Sequence, residues 1–304
     1  MPVAPVRVAF ASIYDRLYSP QNQSRLEHWI MNLSALGFLV HLALIFLTRT
    51  FAQTPSVIAA VGRNYLSAIY TPFSFILFYE VLMLIAALPQ STTQSIAKQY
   101  EIVSLIFIRR FFKDIAELDD IGKLAQMSRD LLPVFLDVLA GLFMFLLVTV
   151  FLHAARRRAV PDMHGEQPQE LKKFITRKKA IAVMLTALLF SLAGHSLWQF
   201  AREVMTQSHT ESNGFFYSDV FTAMIFTDVL IVILSLAVSD SYELVFRNGA
   251  FVISTILIRF SLTVARPFAA ELAVSGMIFG ILTLVIYNYH LRIRQPDRVV
   301  VKPT

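Results

Sequence analysis

Ionisable residues inside long apolar runs are the part of this sequence that could do chemistry. Glu80 and Asp228 each fall near the middle of such a run. Arg109 and Arg110 belong to another and Arg259 to a later one, while Asp137 and Glu271 open two more. A charge at the centre of a bilayer costs about 2.5–3.5 kcal/mol on insertion scales. Several such residues in one chain must therefore face one another or a wet cavity. The economical arrangement pairs Glu80 with Arg109 or Arg110, and Asp228 with Arg259, because each pair sits on consecutive runs and consecutive elements are usually neighbours. Arginine suits the partner role because it stays charged and its planar fork holds a carboxylate by two hydrogen bonds. Two roles are open to these clusters. The acids Glu80, Asp228, Asp137 and Glu271 could line an ion or proton path, with the arginines as charge partners. Alternatively, each pair is a static bridge that fixes helix register.

Histidine offers less. His41 lies deep in the first apolar run and is a candidate proton relay. His195 lies in a later run, and His153 and His290 adjoin basic clusters. Bis-histidine haem needs two facing imidazoles at matched depth. His41 and His195 do not occupy equivalent places, so no cofactor is expected. Asp162, His164 and Glu166 are close in sequence but fall short of a metal signature. Arg110 and Lys113 make one three-residue step, where a voltage sensor carries several. No nucleotide fingerprint, serine elbow or zinc-protease motif is present, and the chain is not expected to be an enzyme.

The elements that must position these residues are membrane helices. The chain of 304 residues is 56% hydrophobic and only 16% charged, against about 25% charged in soluble domains. Its apolar residues form runs that reach the roughly 20 needed to cross the hydrocarbon as a helix. These runs cover about residues 25–49, 69–88, 95–113, 132–153, 179–200, 219–238, 249–265 and 269–291. Ser24 and Glu27 form a capping-box pattern that would open the first. Residues 1–24 read as a peripheral segment, with Val6, Phe10, Ile13 and Leu17 at the spacing of a short interfacial helix. They contain no apolar signal core, so the first membrane helix is expected to direct insertion. Cysteine is absent, which excludes thiolate sites and disulfides.

The runs predict an all-α polytopic bundle of about eight transmembrane helices in two four-helix repeats of the same orientation. Repeat 1 covers 25–155, a basic linker 156–178, repeat 2 179–291 and a basic tail 292–304. Setting Phe78 on Phe226 places Glu80 on Asp228; a two-residue gap then sets Ser104 on Ser254 and Arg109 on Arg259. With the N-terminus inside, seventeen Lys and Arg fall on the cytoplasmic side and nine on the other, the expected sign of the positive-inside bias. The competing arrangement makes the third segment of each half re-entrant, giving an inverted repeat of three spans. Arg156, Arg157, Arg158, Lys172, Lys173, Lys178 and Lys179 could grip acidic lipids or a cytoplasmic partner. Small residues such as Gly141, Gly276 and Gly280 should allow close helix packing. The expectation is an integral protein of a bacterial inner (plasma) membrane with both termini cytoplasmic. It would translocate an inorganic ion or proton as a channel or secondary transporter. The alternative is a non-transporting scaffold, anchor or signal-input subunit. A homo-oligomer or a cytoplasmic protein partner fits either reading, and nucleic acid fits neither.

Overall fold

The computed structural model describes residues 4–50, 64–116, 128–156, 168–206, 216–236, 242–264 and 268–294, and among them there is no strand. Nine α-helices follow in order: α1 (Ala4–Leu17), α2 (Pro20–Thr50), α3 (Tyr70–Ala87), α4 (Thr92–Ala116), α5 (Ser128–Arg156), α6 (Pro168–Thr206), α7 (Phe216–Leu236), α8 (Tyr242–Thr263) and α9 (Phe268–Arg294). Seven of them, α2, α3 and α5 to α9, are long and apolar enough to cross a bilayer. Such helices mark an integral membrane protein. The expected eighth, α4, does not qualify on composition: Lys98, Glu101, Arg109, Arg110, Lys113 and Asp114 interrupt it.

Local signals explain the boundaries. α2 starts earlier than the capping box predicts. Ser19 caps it, with Oγ accepting from Asn22 N at 3.3 Å, and Pro20 takes the first helical position, where its missing N–H costs nothing. The α3–α4 turn passes through Pro89, and Ser91 then caps α4 in a Ser-x-x-Gln box with Gln94. α6 begins at Pro168, so residues 168–178 belong to that helix and not to the expected linker.

Consecutive helices pack side by side through each half, α2 on α3, α3 on α4, α4 on α5, and likewise α6 on α7, α7 on α8, α8 on α9. The halves meet where α5 packs on α9, α4 on α8 and α3 on α6. There are two apolar cores. One gathers α3, α6 and α7 around Ile85, Leu189 and Met224; the other gathers α5, α8 and α9 around Phe151, Phe251 and Met277. α4 lies between them. Ile102 and Ile106 enter the first, Tyr100, Val103 and Phe107 the second.

Exposure follows the same logic. α2, α5 and α9 turn rows of large apolar side chains outward, among them Leu36, Leu39, Leu142, Phe145, Leu282 and Ile286. On α4, Leu105 is the only exposed large apolar residue among those described. Exposed Trp29, Tyr242 and Tyr289 ring the end near α1, and Tyr65, Tyr70 and Trp198 ring the far end, as aromatic belts do at the two interfaces.

α1 is docked at the near end. Tyr14 donates to Ala86 O at 2.5 Å, Tyr18 Oη lies 2.6 Å from Thr186 Oγ1, and Lys179 bridges to Asp15 at 2.6 Å. Burial pushes both tyrosine hydroxyls up to about 12, so they stay protonated at neutral pH. Ile13 and Leu17, two of the residues expected to form an apolar face, are exposed.

Glycine sets the closest approaches. A methyl group at Gly141 would stand 2.8 Å from Ile108 Cγ1 and 3.3 Å from Ser104 O; at Gly276 it would stand 3.1 Å from Ile258 Cγ1 and from Ser254 O. At Gly280 it would strike the Tyr100 hydroxyl, while at Gly194 it meets nothing within 4 Å. Gly280→Ala should therefore lower stability by about 1–3 kcal/mol, and Gly194→Ala should leave it unchanged or raise it. Thermal melts of the two variants in one detergent check this.

Candidate functional site

Both predicted ion pairs form. α3 carries Glu80 and α4 carries Arg109, and the two side chains are in contact. α7 carries Asp228 and α8 carries Arg259, also in contact. In each half the acid sits on the second helix and the arginine on the third. The two pairs nevertheless have different surroundings.

The Asp228 pair is held on several sides. Arg259 is 2% exposed; besides Asp228 it donates to Met224 O at 2.8 Å and to Gln99 Oε1 on α4 at 3.1 Å. Thr255 adds a hydrogen bond to the same carboxylate oxygen at 2.9 Å. Beside Asp228 lies a recess of about 40 Å³, lined also by Gln99, Thr92, Ser95 and Lys178. It faces the α1 end.

The Glu80 pair is different. Glu80 is 5% exposed, yet neither carboxylate oxygen has a hydrogen-bond partner beyond its contact with Arg109. Both residues line a cavity of about 250 Å³ between α3, α4, α7 and α8 toward the far end. A polar cavity of about 10–15 Å³ is already roomy enough for one water, and this space is about six times the volume of the recess beside Asp228. Arg110 and Lys113 line it too. Arg110 is steadied by Ser261 O at 3.0 Å and by the Phe107 ring at 4.2 Å.

One face of α4 joins the two sites. Gln99, Ile102, Ile106, Arg109 and Lys113 follow one another at steps of three and four residues, which aligns them along a helix. Gln99 borders the recess, and Ile106, Arg109 and Lys113 border the cavity. Buried Ile102 and Ile106 separate them. Gln99 and Thr255 were not singled out from the sequence. The signal that could have found Gln99 is its place on the arginine stripe.

The other expected residues lie elsewhere. Asp137 is buried and engaged by neighbours, but it lines neither pocket; nor does Glu271, exposed in the first turn of α9. His41 Nδ1 pairs with Thr71 Oγ1 at 2.6 Å. Its Nε2 is buried without a partner, and it too is outside the cavity. His195 is exposed beside Gln199 at 2.9 Å; His153 is exposed, and His290 faces Glu243 at 3.8 Å. No group of three potential metal ligands occurs among the described residues.

Of the basic candidates, Arg156, Lys172 and Lys173 are exposed. Lys178 is turned inward, 4% exposed and donating to Gln90 O at 3.0 Å, so it is not presented to a headgroup or partner. Lys179 is held by Asp15. Arg157 and Arg158, and the Asp162–Glu166 cluster, lie outside the described residues.

Removing one partner of a buried pair costs about 3–5 kcal/mol, and the cost grows with the hydrogen bonds lost alongside it. Asp228→Asn, whose carboxylate is also held by Thr255 and whose arginine is tied to Met224 and Gln99, should therefore lower the melting temperature more than Glu80→Gln. Parallel melts that ranked the two the other way would refute this difference in anchoring. No known family model matches the chain, and no curated protein or solved structure is significantly similar to it.

Proposed function

We propose that the protein translocates a small ion or proton across a membrane, with the Glu80–Arg109 pair as its site and the Asp228–Arg259 pair as its internal brace. The observation that carries this reading is the cavity of about 250 Å³ reaching Glu80, because a buried carboxylate that borders open space and is paired with a cation is what a transport site requires. The stripe on α4 supplies the route. It leads from the cavity past Ile106 and Ile102 to Gln99 and the recess beside Asp228. Open space at one end and two isoleucines beyond it would make a path open to the far end and closed to the α1 end.

In this reading α4 is the eighth crossing. Its 25 residues extend about 37 Å at 1.5 Å per residue, enough to cross about 30 Å of hydrocarbon, and its charges face protein and water. Two four-helix repeats of one orientation follow, supported by equivalent acid–arginine pairs and by equivalent glycine contacts, Gly141 on Ser104 and Ile108, Gly276 on Ser254 and Ile258. The α1 end would be cytoplasmic, in the plasma membrane of a bacterium, since Arg156, Lys172 and Lys173 gather there. A second reading, a non-transporting scaffold, anchor or signal-input subunit for a cytoplasmic protein or a second copy, draws on the hydrogen-bonded Asp228 pair, which is built as a structural bridge would be.

Flux in proteoliposomes under an imposed potential separates the two, with protons, K⁺, Na⁺ and Cl⁻ read one at a time. Wild type should conduct, and Glu80→Gln should abolish at least nine-tenths of that flux while melting close to wild type. Ile106→Ser, which wets the closed segment, should raise a leak several-fold. No flux for any ion, with charge variants that only lose thermal stability, would favour the scaffold.

A further inference from the structure

Besides the faces that enter the two apolar cores, α4 has a strip that enters neither. Gln94, Lys98, Glu101 and Leu105 follow one another at steps of three and four residues, which aligns them along one side of a helix. Gln94 and Leu105 are exposed, and the Lys98 and Glu101 side chains keep 49% and 35% of their surface open. Lys98 Nζ donates to Glu101 Oε2 at 3.0 Å. The strip therefore presents one charge of each sign, above an exposed leucine, to whatever lies outside the chain.

Its depth matters. From the α3–α4 turn at Ser91, Glu101 is about 15 Å along the helix at 1.5 Å per residue, half of the roughly 30 Å of hydrocarbon. The opposite end gives the same level. Tyr100, the neighbour of Glu101, places its hydroxyl against Gly280 and meets Ser254, which is bonded to Gly276 O. Those glycines are about 12–18 Å into α9 from its far-end start. A lysine stem can carry its ammonium toward the headgroups, but the shorter Glu101 cannot follow, and a charge facing lipid at mid-membrane is costly.

We infer that this strip is the contact between two copies of the chain in the membrane, with Lys98 of each copy bridging to the partner's Glu101. Copies inserted in the same sense are related by a twofold axis along the membrane normal, and such an interface must complement itself. The strip does: it is neutral, and the axis brings the two strips together at equal depth. Lys98 and the partner's Glu101 are then offset by about 4.5 Å along the axis, within a lysine's reach, and the two Leu105 side chains meet beyond them. Each carboxylate gains a second cation in place of lipid. This inference rests on α4 crossing the membrane, and not on what the protein carries.

The chain has no cysteine, so one introduced thiol reports on one place. On mild oxidation in native membranes, Leu105→Cys should form disulfide-linked dimers, and Leu282→Cys on the outward face of α9 should not. Full chains labelled with two dyes and diluted in liposomes should show energy transfer between copies. Lys98→Glu and Glu101→Lys should each weaken that association at least tenfold while keeping wild-type helix content. Mixed together, the two variants should associate with one another as tightly as wild type does with itself, a rescue that an ion pair confined to one helix would not give. A monomer at every dilution, equal cross-linking of Leu282→Cys, or no rescue in the mixture would each overturn the inference. Rapid reaction of Leu105→Cys with a membrane-impermeant maleimide would take α4 out of the bilayer, and the inference with it. A dimer that passes no ion in proteoliposomes keeps this contact and removes translocation; ion flux through a monomer does the reverse.

Discussion

The organisation of this molecule turns on one constraint: a helix with charges along much of its length must be kept out of hydrocarbon. α4 is that helix. It carries Lys98, Glu101, Arg109, Arg110 and Lys113, and exposing such a surface to lipid would cost several kcal/mol per residue near mid-membrane. The fold answers by placing α4 between two apolar cores and giving each of its faces a different neighbour. The seven apolar helices around it can be ordinary membrane helices because they take the lipid contact.

That placement also explains why the two acid–arginine pairs have different surroundings. Where α7 and α8 lie against α4, Gln99 joins the carboxylate and arginine and only a small recess remains. Where α3 and α4 diverge from the starts of α7 and the end of α8, a gap opens and its walls are the remaining pair. How much open space a buried charge borders is set by the spacing of third-party helices, and not by the pair itself.

Much of this was legible in the residues. Glu80 with Arg109 or Arg110, and Asp228 with Arg259, could be paired because apolar runs leave a charge few places to go, and sequential helices are close; which of the two arginines meets Glu80 was not legible. The glycines at 141, 276 and 280 were read correctly as sites of close approach. Hydropathy counted α4 as one more span without showing that it is the inner one, since burial against protein and burial in lipid leave different marks only when the neighbours are known. Lys178 looked like part of a solvated basic linker for the same reason; its inward turn depends on Gln90, a residue 88 positions away. Asp137 and Glu271 entered the list by position within their runs, and position says nothing of which way a side chain faces.

The seam between α4 and α8 has a consequence for how the chain is made. Tyr100 reaches Ser254, and Arg259 reaches Gln99, so the partners of one helix are synthesised about 150 residues after it. When α4 leaves the ribosome, half of its shelter does not yet exist. α3, however, has just preceded it, and Glu80 on that helix can neutralise Arg109 in a two-helix hairpin before anything else arrives. The pair that lines the cavity in the finished fold is thus also a contact available to α4 before its other neighbours exist.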